Sequence, residues 1–183
     1  MTSILFICHG NICRSTMCQF VMAELVRRAG REGEFVIDSA ATSREELGNP
    51  PHHGTVRKLR EVGIPVGSHR ARQLRREEYA TWDYIIYMDE ENAWGLRRIL
   101  GEDAAGSICD PAGKCAKLLS FAPQEAGCLR GHVRDVADPW YTGNFDETYR
   151  DVLAGCTGLL AALGAQDESL GKLEPSGRCH GSR

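Results

Sequence analysis

The chain has 183 residues, of which 42% are hydrophobic, and its formal net charge at pH 7 is −3. These values fit one globular domain with a full core and argue against a basic, nucleic-acid-binding surface. No apolar run approaches the length of a membrane span, and no basic leader precedes the apolar residues 4–7. We therefore expect a cytoplasmic protein with no membrane partner, whose eight cysteines are reduced thiols.

The first half of the chain alternates between strand and helix patterns. A buried strand is predicted at residues 3–7 and a helix at 16–29. A second short strand is predicted at 35–37. The Asn-Pro-Pro sequence at 49–51 interrupts the chain before a predicted helix at about 52–62.

The second half continues the same alternation. A third strand is predicted at 83–88, a helix at 90–100 and a fourth strand at 117–121. An amphipathic pattern predicts a last helix over 145–164. Strands that alternate with helices predict a single-domain, three-layer α/β fold, in which helices cover both faces of a parallel sheet.

One domain accounts for the patterned part of the chain. We predict its extent as residues 1–164, and we expect the polar, Gly- and Ser-containing tail at 165–183 to be disordered. Ligands of such sheets bind beyond the carboxyl ends of the strands. The loop that follows the first strand lies at that edge, so we expect the functional site there.

This loop carries the strongest chemical signal in the sequence. Cys8 and Arg14 are separated by five residues, and a strand precedes them while a helix follows. Backbone amides at a helix N-terminus attract anions, and an arginine can add two parallel hydrogen bonds. A cysteine in that field is expected to be a thiolate. We predict a phosphate-binding loop that also includes His9, Gly10, Asn11, Ile12, Cys13 and Ser15.

Phosphate monoester hydrolysis also needs a proton donor for the leaving oxygen. The loop amides and arginine can compensate the phosphoryl charge without a metal, and the Cys8 thiolate can form a phosphocysteine. Asp138 is the best candidate for the acid, since Pro139 stiffens the chain beside it. Trp140 and Tyr141 follow, and their rings suit an aryl leaving group. Because Asp-Pro is also common in turns, the case for Asp138 depends on the distant loop.

Taken together, residues 8–15 and 138–143 resemble the low-molecular-weight protein tyrosine phosphatases. Three further segments between them match the family, at 38–43, 69–74 and 87–89. The resemblance covers about residues 1–163, and two motifs in the right order at opposite ends of one domain make it specific. It implies a four-stranded parallel sheet, a cofactor-free phosphatase and phosphotyrosine-containing proteins as substrates. We expect a monomer.

The resemblance implies a role for each matching residue. Cys8 would be the nucleophile, Arg14 the phosphate clamp and Asp138 the general acid. A polar network would hold the loop open, and its members would be Asn11, Ser15, Ser39 and His69. From the residues alone, local turn hydrogen bonds explain Ser39 and His69 equally well. Cys13 matches a position that can form a reversible disulfide with Cys8 and protect it from over-oxidation.

The chain departs from the family pattern at three places in the domain, and the tail after Gly164 is additional to that pattern. Thr16 occupies the helix position where proline is usual, and proline is favoured there without being required. Glu45 lies where animal members carry an aromatic or polar selectivity residue, and its charge would disfavour acidic peptides. The segment 107–132 is longer and richer in cysteine than the family pattern.

Two alternative reactions use the same scaffold. Arsenate reductases relay a disulfide through two further cysteines, for which Cys109 and Cys115 are available, but residues 108–115 do not resemble the relay helix of those enzymes. Protein-arginine phosphatases tend to carry threonine before the second loop cysteine, where this chain has Ile12. An apolar side chain there leaves room for a phenol and offers no hydrogen bond to a guanidinium.

A non-enzymatic module that binds zinc or an anion is a more distant alternative. Its zinc ligands would be Cys109, Cys115, Cys128 and His132. These spacings lack the close Cys-x2-Cys pair of compact zinc sites, so scattered loop thiols explain them better. A pure anion-binding role would leave Asp138 without a purpose. The sequence therefore predicts a metal-independent tyrosine phosphatase.

Overall fold

The computed structural model describes residues 1–165 and contains the predicted four-stranded parallel sheet. Its strands are β1 (Thr2–Cys8), β2 (Phe35–Ala41), β3 (Tyr84–Tyr87) and β4 (Cys115–Lys117). They lie in the order β2-β1-β3-β4, and every neighbouring pair is parallel. β1 is therefore a central strand, and the loop that follows it begins in the middle of the carboxyl edge of the sheet.

Helices cover the sheet and connect its strands. They are α1 (Arg14–Arg28), α2 (His53–Glu61), α3 (Glu90–Leu100), α4 (Gln124–Gly127), α5 (Pro139–Thr142) and α6 (Phe145–Ala165). The four long helices confirm the sequence prediction. Apart from Ala165, the last residue of α6, the predicted tail lies outside the described residues. Within residues 1–165, no helix combines the length and apolarity needed to cross a bilayer.

Alternation along β1 explains why both faces of the sheet are covered. Ile4 and Phe6 belong to the core on one face, which is formed mainly with α1 and α6. Leu5 and Ile7 belong to a second core on the opposite face, packed with residues of α3. All four side chains are fully buried. Successive side chains point to opposite faces, so a continuous apolar strand needs a helix layer on each side.

The fourth strand begins earlier than the sequence predicts. Its residues 115–117 pair with β3, and a 3-10 helix follows at Leu118–Ser120 in place of further strand. Leu118 and Leu119 are both buried, and a Cβ built on Gly155 of α6 would lie 2.5 Å from Leu118 Cγ. Both side chains belong to the same core, and a turn of helix can direct both to it, whereas a strand would point them to opposite faces. The prediction of a strand through 121 is therefore wrong.

Several short elements escape the sequence analysis. Two strands, β5 (Cys128–Leu129) and β6 (His132–Val133), form an antiparallel hairpin inside and just beyond the unusual 107–132 segment. α4 and α5 have four residues each. Elements this short contain only about one period of a hydrophobic pattern, so composition and spacing do not detect them.

Six of the cysteines in residues 1–165 are free thiols, and four of these lie outside the loop between β1 and α1. The free cysteines are Cys8, Cys13, Cys18, Cys109, Cys115 and Cys156. Cys128 is disulfide-bonded. It lies partly exposed in the β5–β6 hairpin rather than in the packed core, and the expectation of a reduced thiol is wrong at this position.

The segment before α5 is fixed to the sheet and to α6. The Val136 amide donates a hydrogen bond of 3.0 Å to the carbonyl of Met88 at the end of β3. The buried Asp151 carboxylate in α6 accepts from the Ala137 amide at 3.0 Å and pairs with the Arg134 guanidinium. These contacts bring Asp138 to the same edge of the sheet as the loop after β1.

Close backbone packing makes Gly158 of α6 a sensitive position. A Cβ built there would lie 1.8 Å from the carbonyl oxygen of Phe121, whereas one built on Gly164 has no neighbour nearer than 3.4 Å among the described residues. We expect Gly158→Ala to lower the free energy of unfolding by about 2 kcal/mol, as overpacking does. Gly164→Ala is the matched control and should be neutral or stabilising, since alanine is the better helix former. Urea unfolding measures both, and equal stabilities would contradict this packing.

Candidate active site

The loop between β1 and α1 is built around the start of a helix. α1 begins at Arg14, and no side chain within residues 1–165 caps its first turn, so those amides remain available to an anion. Asn11 has a φ of 58°, in the left-handed region that asparagine tolerates better than most residues. The chain can therefore turn back from the strand into the helix within a few residues.

The Cys8 sulfur is buried inside this loop and has two polar neighbours. Its Sγ lies 3.1 Å from the Ser15 Oγ, and the Asn11 amide donates to it at 3.3 Å. The Asn11 Nδ2 donates to the Ser15 Oγ at 3.0 Å. Since that hydroxyl already accepts from an amide, its own proton is free to point at the Cys8 sulfur.

The Asn11 side chain has one orientation, which its partners define. The Arg72 amide donates to its Oδ1 at 3.1 Å, so the other end of the side chain must be the NH2 group. That group donates a second hydrogen bond to the Ser39 Oγ at 2.8 Å, and Ser39 donates onward to Gln19 at 2.6 Å. Donation therefore starts at the Asn11 side-chain amide group and runs in two directions, through Ser15 toward the Cys8 sulfur and through Ser39 to Gln19.

The backbone carbonyl of Asn11 is also held. It accepts from the Thr16 hydroxyl at 2.9 Å and from the His69 Nε2 at 3.0 Å. A carbonyl only accepts, so Nε2 carries the proton. Burial is the main effect that lowers the pKa of His69, which favours this neutral form. Thr16, at the position where proline is usual, thus uses its hydroxyl to brace the loop.

Arg14 lies at the bottom of the pocket with its guanidinium between two carboxylates. The side chain is 2% exposed, and it pairs with Asp89 through Nη1 and with Asp138 through Nη2, the latter at 2.6 Å. Burial by itself would lower the pKa of Arg14. The neighbouring Cys8 sulfur and the two carboxylates outweigh burial and raise that pKa above its ordinary value.

The sequence analysis assigned no role to Asp89, although it lies in the family-like segment 87–89. Its Oδ1 caps α3 by accepting from the Asn92 amide at 2.7 Å, while its Oδ2 pairs with Arg14. The signal that could have found it is its position directly after β3. An acidic residue at that point lies at the same sheet edge as the phosphate loop.

Asp138 is positioned by the one-turn helix α5. Its Oδ1 accepts from the Trp140 amide at 3.0 Å, which leaves Oδ2 directed at Arg14. The side chains that follow, Trp140 and Tyr141, are 59% and 78% exposed. They do not cap the core; they line one wall of the pocket above the phosphate loop.

The pocket brings together the loop, the acidic segment after β2, α3 and α5. Its lining residues are Cys8, His9, Gly10, Ile12, Cys13, Arg14, Glu45, Glu46, Glu91, Asp138, Trp140 and Tyr141. Asn11, Ser15, Ser39 and His69 lie behind this surface and support it. The structure thus assembles every site residue that the sequence singled out, and it adds Asp89, Glu46 and Glu91.

His9 bridges Glu45 and the added residue Glu91. Its Nε2 lies 3.0 Å from the Glu45 carboxylate, and its Nδ1 lies 3.0 Å from the Glu91 carboxylate. These groups come from the phosphate loop, the segment after β2 and the first turn of α3. One imidazole therefore joins three separate parts of the chain across the mouth of the pocket.

His52 links the phosphate loop to the segment that carries Asp138. Its amide donates to the Ile12 carbonyl at 2.8 Å, and its ring stacks on Phe145 with centroids 5.3 Å apart. The edge of the same ring faces Trp140 at 6.0 Å. Burial is the largest effect that lowers the pKa of His52, so the uncharged ring that suits this stacking is favoured.

Cys13 is the second cysteine of the pocket, and its raised pKa keeps the thiol protonated at neutral pH. Burial, with the nearby Cys8 and Asp138 as further causes, raises the pKa of Cys13 to about 12.

Zinc binding by the other cysteines finds no support. Within the part of the chain that the structure describes, no three His, Cys, Asp or Glu side chains are grouped to hold a metal.

Comparison with known proteins gives the site a family context. A family model described as low molecular weight phosphotyrosine protein phosphatase matches residues 3–169. The low molecular weight protein-tyrosine-phosphatase YfkJ of Bacillus subtilis is 38% identical over 163 residues, which cover 89% of this chain and 96% of that protein. The human low molecular weight phosphotyrosine protein phosphatase is 35% identical over 160 residues, covering 86% and 93%.

Solved structures agree with these relatives. The crystal structure of YfkJ has a TM-score of 0.78 at 37% identity, and the match covers 92% of this chain and 97% of that one. A drosophila arginine phosphatase has the same fold, with a TM-score of 0.71, 23% identity and coverage of 89% and 98%. At this identity the second match shows the fold alone. The family model and the two relatives above show more: the chain belongs to the low-molecular-weight phosphotyrosine protein phosphatase family and is an enzyme of the protein-tyrosine-phosphatase type.

Proposed function

We propose that Cys8, Arg14 and Asp138 carry out the phosphatase reaction on phosphotyrosine in proteins. The observation that supports this assignment is the position of the Arg14 guanidinium, which lies between the loop that holds Cys8 and the carboxylate of Asp138. A phosphoryl group in this pocket would contact the loop amides and the guanidinium at once. The site supplies charge compensation from the chain itself, and no step of the proposal needs a metal.

In the first step, the Cys8 thiolate attacks phosphorus in line with the departing oxygen. The sulfur–phosphorus bond forms as the bond from phosphorus to the phenol oxygen breaks, and Asp138 gives its proton to that oxygen. A protonated Asp138 carries no charge, so its ion pair with Arg14 is replaced by the phosphoryl oxygens. The rings of Trp140 and Tyr141 flank the departing phenol.

In the second step, water hydrolyses the phosphocysteine. The Asp138 carboxylate takes a proton from the water as its oxygen bonds to phosphorus, and the sulfur leaves with its electron pair. The Ser15 hydroxyl, 3.1 Å from the Cys8 sulfur, donates to the sulfur as negative charge returns to it. The Asn11 side chain keeps that hydroxyl in the donating orientation.

The pocket favours a phenol over a guanidinium as leaving group. Ile12 contributes an apolar side chain to its lining, and Trp140 and Tyr141 contribute aromatic rings. We propose cytoplasmic phosphotyrosine proteins as substrates, a monomeric enzyme and a catalytic domain of residues 1–164. Neither the arsenate-reductase nor the arginine-phosphatase alternative gains a specific feature from the arrangement of these residues.

A comparison of phosphorylated peptides tests this assignment. We expect turnover of phosphotyrosine peptides with or without a chelator, and far slower turnover of phosphoserine and phosphoarginine peptides. Cys8→Ser should abolish turnover while vanadate still binds, because the amides and Arg14 remain. Retained activity in that variant, or a preference for phosphoarginine, would contradict the proposal.

The general-acid role of Asp138 predicts a dependence on the leaving group. Asp138→Ala should slow a phosphotyrosine peptide by on the order of 100-fold or more, as loss of a general acid does. The same variant should slow p-nitrophenyl phosphate far less, because nitrophenolate departs without a proton. Steady-state kcat values for both substrates measure this difference, and equal losses would argue against the role.

A reversible oxidation is the last element of the proposal. Peroxide would convert the Cys8 thiolate to a sulfenic acid and release hydroxide. The Cys13 thiol, which the raised pKa keeps protonated, would then attack that sulfur, form the disulfide and release water. Both cysteines line the same pocket, which supports this pairing.

Peroxide treatment followed by mass spectrometry checks the pairing. We expect a Cys8–Cys13 disulfide in the oxidised protein and recovery of activity after reduction with dithiothreitol. Cys13→Ser should lose that recovery, because the sulfenic acid then oxidises further. The matched control is Cys109→Ser, which removes a partly exposed thiol outside the pocket. If Cys13→Ser recovers as fully as this control, the proposed pairing is wrong.

A further inference from the structure

We propose that Glu45, Glu46 and Glu91 form an anionic rim that selects phosphotyrosine flanked by basic residues, and that His9 positions two of these carboxylates. This inference rests on the proposed function, because the rim matters only if the neighbouring pocket binds phosphotyrosine. All three glutamates line that pocket. They come from the segment after β2 and from α3, so the fold brings them together.

His9 fixes the rim through contacts on both of its ring nitrogens. Each nitrogen lies 3.0 Å from a carboxylate oxygen, one of Glu45 and one of Glu91. An imidazole can carry at most one positive charge. The bridge therefore sets at most one positive charge against two negative ones.

The rim therefore keeps a net negative charge. Glu46 adds a third carboxylate and packs on the phosphate loop, where a Cβ built on Gly10 would lie 3.0 Å from its Cγ. Glu46 also accepts from the Asn49 side chain at 2.6 Å, which is an uncharged partner. Three carboxylates and one imidazolium leave an excess of negative charge at the mouth of the pocket.

Within residues 1–165, no lysine or arginine forms an ion pair with these three carboxylates. Among the described residues that line the pocket, the cationic side chains are Arg14 and His9, and Arg14 already pairs with Asp89 and Asp138. Arg44 and Arg98 line a neighbouring groove to which Glu45 and Glu91 also contribute, and the Arg98 guanidinium lies 4.8 Å from the ring centre of Trp94.

An anionic rim beside a phosphate pocket acts as a filter. It repels the substrate's own phosphate and any acidic flanking residue, and it attracts lysine or arginine at those positions. Specificity is a difference of affinities, and repulsion of the wrong substrate contributes to it as much as attraction of the right one. Since the side chains of Glu91 and Glu45 are half and three-quarters exposed, each of their contacts is a surface ion pair of modest strength.

A matched pair of phosphotyrosine peptides tests the rim, one with lysine and one with glutamate on both sides of the phosphotyrosine. At low ionic strength we expect the wild type to show roughly a 10-fold higher kcat/KM for the lysine peptide, as two or three surface ion pairs would give. The difference should lie mainly in KM, since the contacts are present in both ground and transition states. It should shrink in 0.5 M salt.

Glu45→Gln/Glu91→Gln should reduce the preference to roughly two-fold, because both bridged charges are removed. The matched control is Glu32→Gln, which removes the charge of an exposed residue before β2, at the opposite edge of the sheet. This control should keep the wild-type preference. Normalising each variant to its own kcat/KM for p-nitrophenyl phosphate separates selectivity from general loss of activity.

Two outcomes would overturn the inference: an unchanged peptide preference in the double variant, or a wild type that prefers the glutamate peptide. Either could occur while both peptides are hydrolysed, so the proposed function would survive. Failure of the wild type to hydrolyse either peptide, or p-nitrophenyl phosphate, would instead reject the proposed function on which the rim depends.

Discussion

The buried ion pairs of Arg14 are the constraint on which the rest of the site depends. A guanidinium that is 2% exposed would be very unfavourable alone, and Asp89 and Asp138 compensate its charge. One carboxylate begins α3 and the other begins α5. The Arg14 guanidinium that can bind a phosphoryl group therefore also determines where the candidate acid Asp138 lies. Phosphate binding and proton transfer would thus depend on the same side chain.

Asn11 holds the loop around the candidate nucleophile Cys8 in place. Its left-handed backbone turns the loop, its side chain orients the Ser15 hydroxyl, and its carbonyl is held by Thr16 and His69. A loop of converging amides needs such support, because those dipoles repel one another when no anion is present. The network is made before the substrate arrives, which is what electrostatic catalysis requires.

The mouth of the pocket adds a second level of recognition. Aromatic side chains on α5 and the glutamates joined by His9 both line this mouth. The wall suits the phenyl ring common to all phosphotyrosine substrates, whereas the rim faces the residues on either side of it. In this proposal the buried loop carries out the reaction, and exposed side chains from other segments select the substrate. Those exposed residues can be substituted without disturbing the loop.

The sequence by itself determined the α/β class, the long helices, three of the four strands within a few residues, and the pairing of Cys8 and Arg14 with a distant Asp138. Those features follow from hydrophobic period and from local motifs. Only the tertiary structure decided that Asp89 pairs with Arg14 alongside Asp138, that Leu118 begins a 3-10 helix and that His9 bridges Glu45 and Glu91. The physical reason is that these contacts join side chains distant in sequence, and their energy depends on distances that no local pattern encodes.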